Sequence, residues 1–595
     1  MGLIRRHPIL LALAVAAVLS IQLVPQSTFF GDDYIQLGIL EETTEGIHAT
    51  PFDLYGFMDG STESVRKSME TGPIPWFVHP QFKVNFFRPV SSALLALDHA
   101  TFGLRSWGYR IQAILWYLLI VGVYGIWLRL VMPAVGSGSD VERPRGAFGS
   151  AALLALFIFA VSDPHWVNVA WTAGRWVLVT TALTLTGCVA HFRWRHEGWR
   201  PGLFLSLILF VLGFLAGELA LAILAYPVAF EIVAPKAKIG ERVRGLAPLA
   251  MVTGAYLVVY KVLGRGAYGG AEYPDPSSDP LGYVAELPGK MLAMFGEVFL
   301  WIPAGWWNSD PLRVYSLAAG AGGLVLMALL LVPIFRNGTN EIRVLLGRLA
   351  LGTVGSMLPL AAGTPGGRNL IVPTIGAALV TGITLHYWWT EPRSRGAALR
   401  WFATLVCLFI GFIHLALAPY RWVTGPIEFR QNSERLADLV RSTPFVDEGV
   451  PDQRTVFLTV HFEVCWNGHF LRRLERLPMP ERWWMLSAAD AEHHYHRTGP
   501  DRLVLETVGG EMMATRFESM IRSREAPIPV GYEVDLDGMR VRVLEVGRFG
   551  PTRVEFTFDR SLDDRSMVLM AVRDGRLQRV ESPPVGTTLR LPSSW

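Results

Sequence analysis

The sequence predicts a polytopic α-helical membrane protein of about eleven spans, followed by a soluble C-terminal domain of α+β or β-rich type. Three observations carry that prediction. Apolar residues fill 51% of the 595 positions and charged residues only 18%, with a mean hydropathy of +0.32. Apolar runs of near-spanning length recur from the N-terminus to residue 418. Beyond Pro419 the composition turns polar, and short runs with strand character alternate with turns.

Arg5-Arg6 precede a nearly all-apolar run, Ile9 to Val24. It reads as an uncleaved first span rather than a signal peptide, because no A-x-A site ends it. A more polar stretch, Gly31 to Trp107, follows. Further apolar runs lie at 109–131, 149–162, 173–190, 202–216, 218–233, 246–263, 313–335, 344–362, 369–389 and 398–418. Runs 149–162 and 202–216 are short for a span. The segment Leu287 to Trp307 is aromatic and apolar but contains Lys290, Glu297 and two prolines, which suits an interfacial or re-entrant helix.

Positive residues fall on alternate loops: Arg5-Arg6, Arg129 with Arg143 and Arg145, His191 to Arg200, Lys236 to Arg244, Arg336 to Arg348, and Arg393 to Arg400. The positive-inside rule then places the N-terminus in the cytoplasm. Residues 1–420 form the membrane domain, with a first outer loop at about 26–108, and 421–595 form a periplasmic or extracellular domain. In that domain strands are expected at Val456–Phe462, Leu503–Val508, Met539–Val546 and Val554–Phe558, with turns at Asp537-Gly538 and Asp574-Gly575. A helix is expected at Ser433–Arg441, with Ser433 as its N-cap.

The net charge of +3 and the lack of a basic run interleaved with aromatics exclude a nucleic-acid partner. Cys188, Cys407 and Cys465 provide no disulfide framework and no cysteine metal site. His493-His494-Tyr495-His496, near His461 and His469, has no recognised ligand spacing and reads as a surface cluster, so no metal is expected.

The chemistry centres on Phe29-Phe30-Gly31-Asp32-Asp33-Tyr34, just past the first span. Two acids at a membrane boundary are functional candidates. Sugar transfer from an activated donor needs a carboxylate to take the acceptor proton. The structural alternative is the first turn of a helix, where Asp is common.

The surrounding motifs carry a resemblance. Asn85-Phe86-Phe87-Arg88-Pro89-Val90 runs into Leu97-Asp98-His99-Ala100-Thr101-Phe102-Gly103-Leu104 and Gly108-Tyr109-Arg110. Asp163-Pro164-His165-Trp166 through Gly174-Arg175, Gly217-Glu218-Leu219-Ala220 through Tyr226-Pro227, and Gly367-Arg368-Asn369 through Pro373 follow in order. Over residues 8–420 this resembles the polyprenyl-phosphate-dependent GT-C glycosyltransferases. That group includes the protein O-mannosyltransferases, the TMTC-type mannosyltransferases and the lipid A aminoarabinose transferases. Asp163 stands where that pattern has His, and Gly217 and Gly367 stand where it has charged residues.

The resemblance implies a hexosyltransferase of the inner (plasma) membrane, working on the periplasmic face by inverting, metal-independent displacement without a cofactor. Asp33 or Asp32 is implied as base. Arg88, Arg175, Arg368 and Lys83 become candidates for the lipid phosphate, or else interfacial side chains that snorkel. Asp163 and His165 lie in the implied substrate loop, where Asp163 is either a second acid or a cap before Pro164. Glu218 needs a partner such as Arg175. The implied partners are a polyprenyl-phosphate sugar donor, an acceptor of unspecified class and the bilayer. A transporter, or a non-catalytic scaffold working through the external domain, is the competing class.

Overall fold

The structure, a computed structural model, describes residues 7–42, 50–132, 149–234, 237–274, 276, 279–390, 397–447, 449–450, 452–513, 516–573 and 575–593. Arg5, Arg6, Arg143, Arg145, Lys236, Arg393 and Asp574 lie outside them. The chain divides into two compact units. The first comprises Met1–Thr28, Phe87–Arg265 and Pro276–Arg430; the second comprises Phe29–Phe86, Gly266–Asp275 and Gln431–Trp595.

The first unit is helical. Among the described residues, 7 helices are long and apolar enough to cross a membrane, or 8 if the bent pair Ser150–Ala160 and Pro164–Ala170 is one span. Shorter apolar helices at Pro8–Ile21, Pro201–Ala216 and Ala220–Ile232 occupy the remaining expected positions. The chain is therefore a multi-pass membrane protein. Its helices differ in burial. The apolar windows of Ala173–Glu197 and Gly367–Thr390 are each 83% buried, whereas that of Ile239–Val262 is 17% buried. The first two are central. The third presents Met251, Val258 and Val262 outward, as a lipid-facing helix does.

Pro280–Leu300 is a helix absent from the spanning set, in keeping with the interfacial or re-entrant expectation. It packs along Asp310–Asn337. Prolines open several helices at their first turn, where the missing N–H costs no hydrogen bond: Pro89, Pro164 and Pro201 are examples.

The second unit is mixed. Strands β1 (Gly56–Asp59), β2 (Lys83–Asn85) and β3 (Gly266–Tyr268) form a small antiparallel sheet from two separate loops. Strands β4 (Arg454–Thr459), β5 (Arg482–Met485), β11 (Met567–Arg573) and β12 (Arg576–Arg579) form a sheet in the order β12-β11-β4-β5. Here β4 runs parallel to both β5 and β11. Every residue of β4 is buried, as for a parallel strand covered on both faces. The helix Phe462–Leu474 makes the crossover from β4 to β5.

A third, antiparallel sheet has the order β13-β6-β7-β10-β9-β8. Its strands are β6 (Glu492–Arg497), β7 (Arg502–Val508), β8 (Glu533–Leu536), β9 (Met539–Val546), β10 (Pro551–Phe558) and β13 (Thr588–Leu591). In β9, Met539, Val541 and Val543 alternate inward, which gives the period-2 signal visible in the sequence.

Two expectations are corrected. The strand expected at Val456–Phe462 runs from Arg454 to Thr459, and Phe462 opens the helix that follows, with His461 as its N-cap. Ser433 does not cap a helix but lies inside Ala418–Ser442, in a helical run that begins at Ala397 and passes through a wider π turn at Ile413–Leu417. The change from apolar to polar side chains does not interrupt the backbone ladder, and Pro426 is absorbed within it.

Candidate functional site

The predicted residues fall in both units. Asp32, Asp33 and Lys83 belong to the second; Arg88, Asp163, His165, Arg175, Glu218 and Arg368 belong to the first.

In the second unit, Asp32 and Asp33 open the helix Asp32–Leu40, whose N-cap is Gly31. Their charges sit in the first turn, where the helix dipole favours them. Asp33 is buried, and its Oδ2 accepts the Phe30 N–H at 3.0 Å. Asp32 is half-buried. Phe462–Leu474 packs on this helix. Burial pushes the neighbouring Tyr34 hydroxyl up, helped by the charge of Asp33. Lys83 sits in β2 opposite Asp59 and Tyr268, half-buried.

In the first unit the breaks between helices hold the charges. Arg88, just ahead of the Pro89–Phe102 helix, pairs with Glu218 at 2.8 Å, and its guanidinium lies 3.7 Å from the Trp176 ring. Tyr260 donates to the other Glu218 oxygen at 3.3 Å. Glu218 occupies the gap between Pro201–Ala216 and Ala220–Ile223. Ser91 pins that gap by donating to the Ala216 carbonyl at 2.7 Å. The partner of Glu218 is thus Arg88, not Arg175 as the sequence suggested. Arg175 instead bonds Asp98, and both side chains are almost fully buried. Burial pushes the Asp98 carboxyl up against the pull of Arg175.

The richest cluster surrounds the bend of 44° between Ser150–Ala160 and Pro164–Ala170. Asp163 lies at the bend. Its Oδ1 accepts the Trp166 indole N–H at 3.1 Å, and its Oδ2 accepts that of Trp301 at 2.6 Å. Arg421 stands 3.9 Å away. Trp301 adopts a left-handed backbone, φ 61°, at the end of the Pro280–Leu300 helix. That conformation costs a non-glycine residue about 1 kcal/mol, and here it comes with the indole bond to Asp163.

Glu297, one turn earlier, is buried, and its Oε2 accepts the Ala304 N–H at 2.7 Å. Burial lifts its carboxyl to about 7; the Ala304 N–H pulls it down and the charge of Asp163 adds to the rise. A Cβ at Gly367 would stand 2.8 Å from Glu297 Oε1 and 3.6 Å from Pro164, so Glu297 lies against the bend. Arg368 follows. Its guanidinium lies 4.6 Å from the Trp171 ring centroid, and its carbonyl accepts from Asn168 at 2.8 Å. Among the described residues Arg368 has no carboxylate partner, and it is only half-buried. His165 is fully buried between Phe159 and Tyr117, with the Tyr117 hydroxyl 3.4 Å from Nδ1. That is a core position.

Asp98, Glu297, Trp301 and Arg421 were not among the predicted site residues. Asp98 and Glu297 had a signal, since each is an acid within an apolar helical stretch. Trp301 and Arg421 had none, because only the fold brings them to Asp163.

Two outcomes are expected. Arg175→Met leaves Asp98 buried without a partner and lowers stability in detergent by about 3–5 kcal/mol. Asp98→Leu together with Arg175→Met recovers most of that loss, as read from denaturant midpoints. If the double variant is as unstable as the single, the ion pair is not what holds these helices.

Glu297 supplies a pH test. Its folded value, about 7, exceeds the ordinary 4.5, so the folded chain keeps a proton that the unfolded chain releases in between. Stability from this group is present below pH 4.5 and falls as pH rises toward 7. Glu297→Gln does not titrate, so it gains on the parent across that window, by on the order of 3 kcal/mol. Parallel pH profiles for the two proteins would refute the assignment.

No protein-family model matches the chain, and no curated protein matches it. Among solved structures it is similar to that of ArnT from Cupriavidus metallidurans bound to undecaprenyl phosphate. The TM-score is 0.41 and the identity 13%, over 79% of this chain and 85% of that one. ArnT from the same organism in the apo state gives 0.38 and 12%, over 79% and 84%.

Proposed function

We propose that the chain is a membrane glycosyltransferase that moves a sugar from a polyprenyl-phosphate donor to an acceptor on the periplasmic side. Arg368 carries this reading. Arg88 and Arg175 each pair with a carboxylate, whereas Arg368 stacks near Trp171 with no acid attached among the described residues. A guanidinium left in that state suits a phosphate, which its planar fork meets with two hydrogen bonds. The acids Asp163 and Glu297 lie at the same bend, near where a sugar held by that phosphate has hydroxyls to bind. The ordered motifs of the sequence agree with a lipid-phosphate donor.

In the reaction, a carboxylate of the Asp32–Asp33 pair takes the proton of the acceptor hydroxyl. The acceptor oxygen attacks the anomeric carbon, the bond from that carbon to the phosphate oxygen breaks, and the lipid monophosphate leaves with inversion. Arg368 offsets the charge that grows on the phosphate. Arg88 and Glu218 hold the helix breaks in place. The second reading, a non-catalytic scaffold, draws on Asp33, whose buried carboxylate already serves its own helix start.

The test is sugar release from radiolabelled polyprenyl-phosphate sugars by purified protein. Asp32→Asn with Asp33→Asn is expected to cut turnover about 10²–10⁴-fold, and the single variant that matches that loss identifies the base. Arg368→Gln is expected to raise the donor KM with an unchanged thermal midpoint. Turnover indifferent to both aspartates moves the assignment to the scaffold.

The orientation is tested separately. With a cytoplasmic N-terminus, a thiol placed at Glu197 is labelled only after the membrane is permeabilised. A thiol at Arg540 is labelled from outside. The reverse pattern would invert the proposed topology.

A further inference from the structure

The six-stranded sheet of the second unit sets a carboxylate, Glu506, beside two histidines of the neighbouring strand. Along β6, burial alternates: His493, Tyr495 and Arg497 point inward, while Glu492, His494 and His496 share the outer face. His493 is a core residue, bonded to Ser487 and the Ala491 carbonyl. The outer pair is different. Antiparallel pairing sets His494 directly opposite Glu506 of β7. One nitrogen of His494, one of His496 and one oxygen of Glu506 all lie within 4.8 Å of one another.

We infer that His494, His496 and Glu506 form a site for a divalent late first-row cation, of which Zn²⁺ is the best fit. Two imidazoles two residues apart on one strand, with a carboxylate across the ladder, give an N₂O set that leaves a fourth position for water. Magnesium and calcium prefer oxygen ligands and fit it poorly. Tetrahedral zinc places its ligand atoms about 3.3 Å apart, from bonds of about 2.0 Å. His496 Nε2 and Glu506 Oε2 already stand at 3.0 Å. The three side chains are partly exposed and can close on an ion by rotation alone.

Outer contacts set the rings. Thr588 of β13 meets His496 Nδ1 at 2.7 Å, which directs Nε2 to the site. Glu492, held by Arg590 at 2.5 Å and lowered in pKa chiefly by that bond, meets His494 Nε2 at 3.0 Å. Metal therefore takes the other nitrogen of His494 or displaces Glu492. In either case it ties β6 to β7 on the solvent face, an anchor made by the fold and independent of the glycosyltransferase reading.

The experiment uses the full chain in detergent after chelator treatment. Zn²⁺ is titrated against a chromophoric chelator, and Co²⁺ is followed by its visible absorption. The parent is expected to bind a single equivalent with micromolar or tighter affinity, to show the intense bands of tetrahedral Co²⁺, and to melt higher with Zn²⁺ present. His494→Asn and Glu506→Gln each weaken binding by about tenfold or more. His494→Asn with His496→Asn abolishes it, with metal-free midpoints matching the parent for every variant scored. Absence of micromolar binding, octahedral Co²⁺ spectra, or equal Zn²⁺ uptake by the double histidine variant would overturn the site.

Discussion

A charge enclosed among apolar helices must find a partner, and the first unit is built around that requirement. Its charges concentrate where helices break. Asp163 sits between Ala160 and Pro164, Glu218 between Ala216 and Ala220, Arg175 ahead of Trp176, and Arg368 ahead of Ile371. A break frees backbone donors and acceptors that hydrocarbon cannot satisfy. Polar side chains answer them: Trp422 donates to the Ser162 carbonyl, Asn168 to that of Arg368 and Ser91 to that of Ala216. The same side chains that close the backbone account thereby fix the ionised groups. Positioning and stability are one problem here.

Partnering separates cations that look equivalent in sequence. Arg88, Arg175 and Arg368 each stand beside a helix start, and each follows or precedes an aromatic or glycine-rich motif. Only the fold shows that two of them face carboxylates. Removing an ion-paired arginine strands an acid, and the cost is paid in folding. Removing Arg368 strands no acid among the described residues; its guanidinium lies over the Trp171 ring. Acids divide likewise. Burial pushes both carboxyls up; at Asp163 two indole N–H groups and Arg421 work against it, while Glu297 has one backbone donor and is lifted to about 7.

The spans were legible because hydropathy is summed over some twenty residues, and single errors average out. The strands β9 and β10 were legible through alternation, and β7 through its short apolar run Leu503–Leu505. Ser433 marks no helix start, because backbone hydrogen bonding takes no notice of side-chain polarity and the helix runs on from its apolar part into a polar one. The partner of Glu218 was not legible at all: Arg88 is 130 residues away, and chain separation carries no trace of it. The sheet β1-β2-β3 escaped for a related reason, since strands of three or four residues from distant loops have too little pattern to detect. Glu506 is the same case in the second unit, an acid with no significance until the register places it across from His494.

Gly217 and Gly367 show how such displacement can mislead a comparison of positions. The resembled pattern has charged residues at both. Here a Cβ at 217 would lie 2.4 Å from the Trp176 ring, and one at 367 would lie 2.8 Å from a Glu297 oxygen. The first space is filled by the aromatic ring over which Arg88 stacks. The second is filled by a carboxylate from a different helix. A glutamate restored at 367 would set two acids side by side, which disfavours ionising both. The glycine at 367 thus leaves room for a carboxyl group that comes from Glu297.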